Sequence, residues 1–378
     1  MACGMYPHDM ILTDGYRVLE TNLDSICTTP RANRTELLEH THRPRLQLVP
    51  YTPPVRALIC GESLTALERT YKRLNIEDDP YVKKLRSKKP QSTALQEVLL
   101  SEKTYCNEQL KKFVQRADHV LKELGPWAAE YFIWASTEQI RGRKCGDLSM
   151  DLDVDEREYL ADLLSKLPVP DLDVHITDPA DFPVSPKFEA LIEFLLSTEE
   201  SDFTGLIFVQ QRATVAVMVH LLLVHPSTRN RFRTAGFIGM ANSTKKKDML
   251  GDLLTTRMQR DTLDEFKAGR KNLIVATDVL EEGIDVSACS VVVCYDKPPR
   301  LKSFVQRRGR ARRQYSTFAM VLSREDDESS VRKWQNLEKI MEEAYQEDRT
   351  RLEKLRALET INEDVHPSLR VKSTGYIS

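Results

Sequence analysis

The densest run of chemically distinctive side chains is VQRRGRARR, residues 305–313, in which Gln306, Gly309, Arg310 and Arg313 satisfy QxxGRxxR. Arginines crowded beside a glycine repel one another unless an anion neutralises them, and a polyphosphate is the obvious anion. A guanidinium stays charged, presents a planar fork of donors and can stabilise charge accumulating on a transferring γ-phosphoryl group. Upstream lies ATDVLEEGIDV, residues 276–286, with Thr277 ending an apolar run and Gly283 and Asp285 in a turn before the next one. At the carboxyl end of a parallel strand a threonine hydroxyl can meet a phosphate. A glycine there lets backbone approach a ligand, and a carboxylate can accept a hydrogen bond from a ribose hydroxyl. Taken singly, the basic run also fits a surface patch or a nuclear-localisation signal, and Gly283 an ordinary turn.

These motifs need a scaffold, and the surrounding pattern supplies one. Short apolar runs, GLIFVQ, FIG, NLIVAT, SVVVCYD and TFAMVL, alternate with helical segments such as ATVAVMVHLLL and TTRMQRDTLDEFKAG. That alternation predicts βαβ units and an α/β domain over residues 185–325 with a mostly parallel, doubly covered sheet. Residues 55–168 read as an all-helical unit. Its apolar clusters, Leu95, Val98 and Leu99, then Leu110, Phe113 and Val114, recur at three- and four-residue steps, and Gly125-Pro126 closes one long helix. The Pro- and Asp-rich stretch LPVPDLDVHITDPADFPVSP between the two reads as a linker. Residues 1–54 are turn-rich and read as a connector or domain remnant. The charged stretch 326–362 reads as a solvated helix pair.

With 378 residues, 41% of them apolar, the chain can bury more than one core, and its 30% charged residues argue against wholesale disorder. A formal net charge of −2 means that nucleic-acid binding must come from local clusters such as Arg307–Arg313. The seven cysteines are odd in number and form no CxxC pair, which points to a reduced intracellular compartment. No apolar stretch approaches the roughly 20 residues that span a bilayer. Neither His40 with His42 nor His220 with His225 has a third ligand at metal spacing, so no metal site is assigned.

In order and at this spacing, ATDVLEEGIDV and QRRGRARR resemble motifs V and VI of superfamily 2 helicases, and GLIFVQQR resembles motif IV. The resemblance implies a second RecA-like motor domain: Thr277 touching the nucleic-acid backbone, Gly283 and Asp285 the nucleotide, Gln306 the phosphate region, and Arg310 and Arg313 acting as arginine fingers. Arg307, Arg308 and Arg312 receive no role from the pattern. A helical insertion ahead of that domain is typical of Dicer helicases, innate immune RNA sensors and a related DNA-repair clade. LETNLDSICTTPR, CNEQLKKFVQRADHVLKELGPWAAEYF and LRVKSTGYIS look Dicer-like, of the fungal type. By that likeness residues 1–54 would be a remnant of the first helicase domain, 326–362 pincer helices, and 363–378 the start of a dsRNA-binding-like dimerisation domain. The implied setting is RNA silencing and antiviral defence, in the cytoplasm rather than the nucleus, with double-stranded RNA as partner.

A complete motor also needs a P-loop and a DExD/H motif for phosphates, magnesium and water. The chain has no Gly-Lys dipeptide. Asp155-Glu156-Arg157-Glu158 and Asp264-Glu265-Phe266-Lys267 do not fit DExD/H and read as surface helix charges. ATP and Mg²⁺ are therefore expected only in a complete motor, with a partner chain supplying the first helicase domain. A gene fragment, a degenerate copy and a functional half-motor all fit that absence. Two functional classes follow: the C-terminal half of a dsRNA helicase, or a non-catalytic dsRNA- or protein-binding module derived from one. A repair or RNA-sensor helicase is a third. The purified chain should show no ATP turnover above background with dsRNA present, and robust RNA-stimulated phosphate release would refute this.

Overall fold

The computed structural model describes residues 43–325 except 55–59, 89, 143–153, 169–171, 173–177, 179–181, 199–201, 239–249, 251–252, 254–256, 282–283, 285 and 287, together with 331–332 and 335–336. Those last four aside, the described residues belong to one compact unit, Thr41–Asp326. The proposed remnant up to residue 42, the tail 363–378, His40, His42, Gly283 and Asp285 lie outside the described residues. So do the pincer helices, apart from helical backbone at 331–332 and 335–336.

Among the described residues six strands form one parallel sheet: β1 (Arg45–Tyr51), β2 (Gly205–Phe208), β3 (Thr234–Phe237), β4 (Leu273–Ala276), β5 (Val291–Cys294) and β6 (Thr317–Ser323). Their order is β1-β6-β5-β2-β4-β3. Four of the five apolar runs picked out in the sequence of the α/β domain fall on β2, β4, β5 and β6, whereas FIG meets β3 only at Phe237, the strand lying ahead of it at Thr234–Phe237. β2, β4 and β5 are buried at every position, as expected for central strands covered on both faces. Residues 45–51, assigned by sequence to a connector, instead form β1, paired with β6 in the register Arg45↔Thr317 to Tyr51↔Ser323. Its mixed exposure is that of an edge strand, where Pro50 is tolerated because no neighbour needs its missing N–H.

The helices are α1 (Glu62–Lys72), α2 (Pro80–Lys88), α3 (Thr93–Ser101), α4 (Tyr105–Leu124), α5 (Pro126–Gly142), α6 (Val154–Ser165), α7 (Pro186–Ser197), α8 (Arg212–Val224), α9 (Arg257–Lys267) and α10 (Leu301–Arg308). The first six make the all-helical segment. What reads in sequence as one helical stretch breaks at Glu102, whose φ is 52°, and restarts where the Thr104 hydroxyl accepts the Asn107 N–H at 3.2 Å. Leu110, Phe113, Ala117, Val120, Leu121 and Leu124 then line the buried face of α4. Fully burying such a side chain contributes about 1.5–3 kcal/mol. Glu156, expected on the surface, is buried on α6, where its carbonyl accepts the Cys106 thiol at 3.6 Å.

The sequence places a boundary near residue 185, yet one continuous hydrophobic cluster runs from Leu64, Phe113 and Phe132 to Ile207, Val275 and Val293. The seam is stitched by backbone. The Ser185 N–H donates to the Leu124 carbonyl at 3.0 Å and the Trp127 N–H to that of Pro183 at 3.3 Å. Gly125, between α4 and α5, has φ 106°, and a Cβ there would stand 2.5 Å from the Ser185 nitrogen, so only glycine fits. Across the same seam the His220 ring of α8 stacks on Tyr131 of α5, with centroids 3.9 Å apart.

His225 ends α8 against the rings of Phe182 and Phe188. Burial pushes its pKa from 6.5 down to about 4. Between those values the unfolded chain binds a proton that the native state refuses, so stability falls as pH drops through that window. Urea titrations should show this slope, and His225→Leu should flatten it. An unchanged slope would assign the acid sensitivity to other groups.

Candidate functional site

The chain leaves β2 through α8 toward β3 on one side of the sheet and leaves β5 through α10 toward β6 on the other. The carboxyl ends of these adjacent strands are therefore a topological switch point, where open α/β sheets take ligands. Here the side chains at those ends are bonded to one another. Asp296, just past β5, accepts the Gln210 N–H on Oδ2 at 2.7 Å, and its backbone carbonyl accepts Arg307 Nη1 at 3.2 Å. Arg307 is 1% exposed. Its Nε donates to Glu281 Oε1 at 2.7 Å, and its guanidinium lies 4.9 Å from the centre of the Phe208 ring. An arginine without a motif role is thus the most deeply buried of the cluster, and it is neutralised by a carboxylate of the 276–286 motif rather than by an outside anion.

The arginines assigned as fingers also rest on this chain. Arg310 donates from Nη1 to the Ile284 carbonyl and from Nη2 to the Glu281 carbonyl, both at 2.9 Å, so the turn after α10 is bound to the loop joining β4 and β5. Arg313 donates from Nε to the Ala288 carbonyl at 3.1 Å and from Nη1 to the Asp202 carbonyl at 2.6 Å. Ala288 and Asp202 precede β5 and β2, so Arg313 stands at the amino edge of the sheet. Thr277 follows β4 at the carboxyl edge and is buried, its N–H donating to the Phe237 carbonyl at 3.3 Å. The structure therefore brings Arg310 onto the 276–286 motif and sets Thr277 and Arg313 at opposite edges. Gln306 is half-buried on α10.

Sequence reasoning left four further groups unassigned. Lys187, in the first turn of α7, is buried with Nζ 2.5 Å from Glu123 Oε2 and 3.0 Å from Asp296 Oδ1. Burial alone would lower its pKa, but Asp296 and Glu123 outweigh that and raise it, so the ammonium persists. Tyr295, fully buried, donates its hydroxyl to the Glu123 carbonyl. The cysteines near the arginine turn are chemically quiet, since burial pushes the thiols of Cys289 and Cys294 up to about 12. No group of three or more metal-ligating side chains occurs among the described residues, and no described helix is long and apolar enough to cross a membrane.

Residues 186–314 match the family model described as helicase conserved C-terminal domain. Dicer-like protein 2 of Emericella nidulans is 57% identical over 364 residues, which is 96% of this chain and 24% of that protein. Dicer-like protein 2-1 of Aspergillus niger is 53% identical over 95% of the chain and 26% of its own length. The chain thus spans about a quarter of the curated relatives it matches. Among solved structures, the Hef helicase domain of Pyrococcus furiosus aligns with 16% identity over 88% of this chain and 65% of that one, at a TM-score of 0.38.

Arg307→Ala would leave the Glu281 carboxylate buried without its cation, a loss of about 3–5 kcal/mol. Arg312→Ala, at an exposed side chain, should stay within about 0.5 kcal/mol of wild type. Equal denaturation midpoints for the two variants would show that the buried pair contributes nothing. Along nearly its whole length the chain is a homologue of one segment of the fungal Dicer-like 2 proteins, built around a RecA-like helicase conserved C-terminal domain.

Proposed function

We propose that this chain is the C-terminal half of a double-stranded-RNA motor, supplying cations and RNA-backbone contacts to ATP-dependent dsRNA binding in RNA silencing. The observation that carries this reading is the arginine turn 306–313 hydrogen-bonded through Arg310 to the 276–286 loop, within a helicase C-terminal domain. Arg310 and Arg313 donate to backbone carbonyls, and such donors can exchange those acceptors for phosphate oxygens when a nucleotide is presented by a partner domain. Fingers of this kind contribute about 10³–10⁵ in rate, but only to a nucleotide that is already held. In this reading Gln306, Gly283 and Asp285 face the nucleotide and Thr277 the RNA strand. ATP and Mg²⁺, held chiefly by the P-loop half, supply the phosphoryl group and its counter-charge.

Duplex RNA hides its base edges in a deep groove, so recognition runs through phosphates and 2′-hydroxyls. A second reading, a non-catalytic binding module, is favoured by the same carbonyl contacts of Arg310 and Arg313, which satisfy both side chains without a nucleotide.

Purified chain should bind blunt dsRNA independently of sequence, more tightly than same-sequence DNA, with log K falling linearly as log salt rises. The Arg310→Ala/Arg313→Ala variant should keep this binding, yet fail to support ATP turnover when the P-loop half is supplied. Full turnover in that variant would establish the non-catalytic reading of the arginine turn, and a preference for DNA would remove dsRNA as the partner.

A further inference from the structure

Three ion pairs, two of them between buried residues, form a series that joins the helical segment to the arginine turn. Glu123, in the last turn of α4, holds Lys187 Nζ, which also holds Asp296 Oδ1. The backbone carbonyl of Asp296 accepts Arg307 Nη1, Arg307 Nε reaches Glu281 Oε1, and the Glu281 carbonyl accepts Arg310 Nη2. Lys187, Asp296, Arg307 and Glu281 are all buried. Two cations face three carboxylates, so the series carries one net negative charge, whose field favours the Arg310 guanidinium at its end. Water cannot readily replace the buried links Lys187–Asp296 and Arg307–Glu281, because unpairing a buried charge is costly.

The geometry points to Lys187 and Arg307 as positioning residues through which the end of α4 sets the place of Arg310. A movement of the helical segment against β5 pulls on Lys187, then Asp296, then Arg307 and the 276–286 loop, so a ligand engaged by those helices is felt at a guanidinium that serves the nucleotide. Such coupling needs a contiguous set of bonds, which this series is, and a second arrangement of it, which the Arg310 resonance would detect. The kinetic half of the inference rests on the motor reading given above, and the structural half does not.

The test follows the ¹⁵N–Hε resonance of Arg310 in the full chain, and dsRNA-stimulated ATP hydrolysis in the longer protein that also carries the P-loop half. Lys187→Met should shift the Arg310 resonance and lower kcat about 10-fold, with KM for ATP changed less than about 2-fold. Lys187→Arg should restore most of both. Lys122→Met, which breaks an exposed pair with Asp118 on the same helix, should change neither. Should Lys187→Met fail to fold, Glu123→Gln, of the same shape but without the charge, is read in its place. An Arg310 resonance and kcat at wild-type values in either folded variant would overturn the coupling and leave Lys187 a structural clamp. If the wild-type longer protein hydrolyses no ATP, the motor reading falls, and the Arg310 resonance alone decides the coupling.

Discussion

Lys187 and Arg307 carry positive charge into the dry carboxyl edge of the sheet, and the packing around that edge is arranged to keep those charges paired. Isolated, each would cost several kcal/mol of desolvation. The three carboxylates that offset them come from α4, from the end of β5 and from the β4–β5 loop, so the pairing forms only when all three elements are in register. Apolar burial is indifferent to small sliding, whereas hydrogen-bonded ions at fixed distances are not. The core therefore supplies most of the stabilisation, and the ionic series selects one docking of helices on sheet.

That docking explains why the helical segment and the α/β domain share a core despite the proline-rich stretch between them. Gly125 lets α4 end and α5 begin directly against Val184 and Ser185, so the stretch returns to the seam before α7 starts. Ser185 serves both sides there, capping α7 by accepting the Phe188 N–H and donating its hydroxyl to the Glu123 carbonyl. The aromatic stack of Tyr131 on His220 widens the contact.

The arginine turn combines two kinds of guanidinium. Arg307 is a structural ion, bound to a carboxylate and stacked near a phenylalanine. Arg310 and Arg313 donate to backbone carbonyl oxygens, bonds that orient each guanidinium against the loops beside it.

Periodicity was enough to read the strands β2, β4, β5 and β6 and the helical character of α1 to α6, because buried parallel strands are continuous apolar runs and α4 repeats its apolar residues every three to four positions; β3, with Thr234 and Gly236 among its four residues, offers no such run. The glycine- and arginine-rich motifs likewise marked the loop and turn of the candidate site, since few structural roles call for that composition. Nothing local announced β1, whose pairing with β6 joins residues more than 250 apart along the chain and whose own pattern is weak. The roles of Arg307, Lys187 and Glu156 were equally hidden, because a charged side chain reads as surface until a distant partner is known to neutralise it or a neighbouring helix to cover it. Sequence determined which groups could meet an anion; only the tertiary structure decided which of those charges are spent within the fold, because burial and pairing are properties of the packed elements and not of the residues themselves.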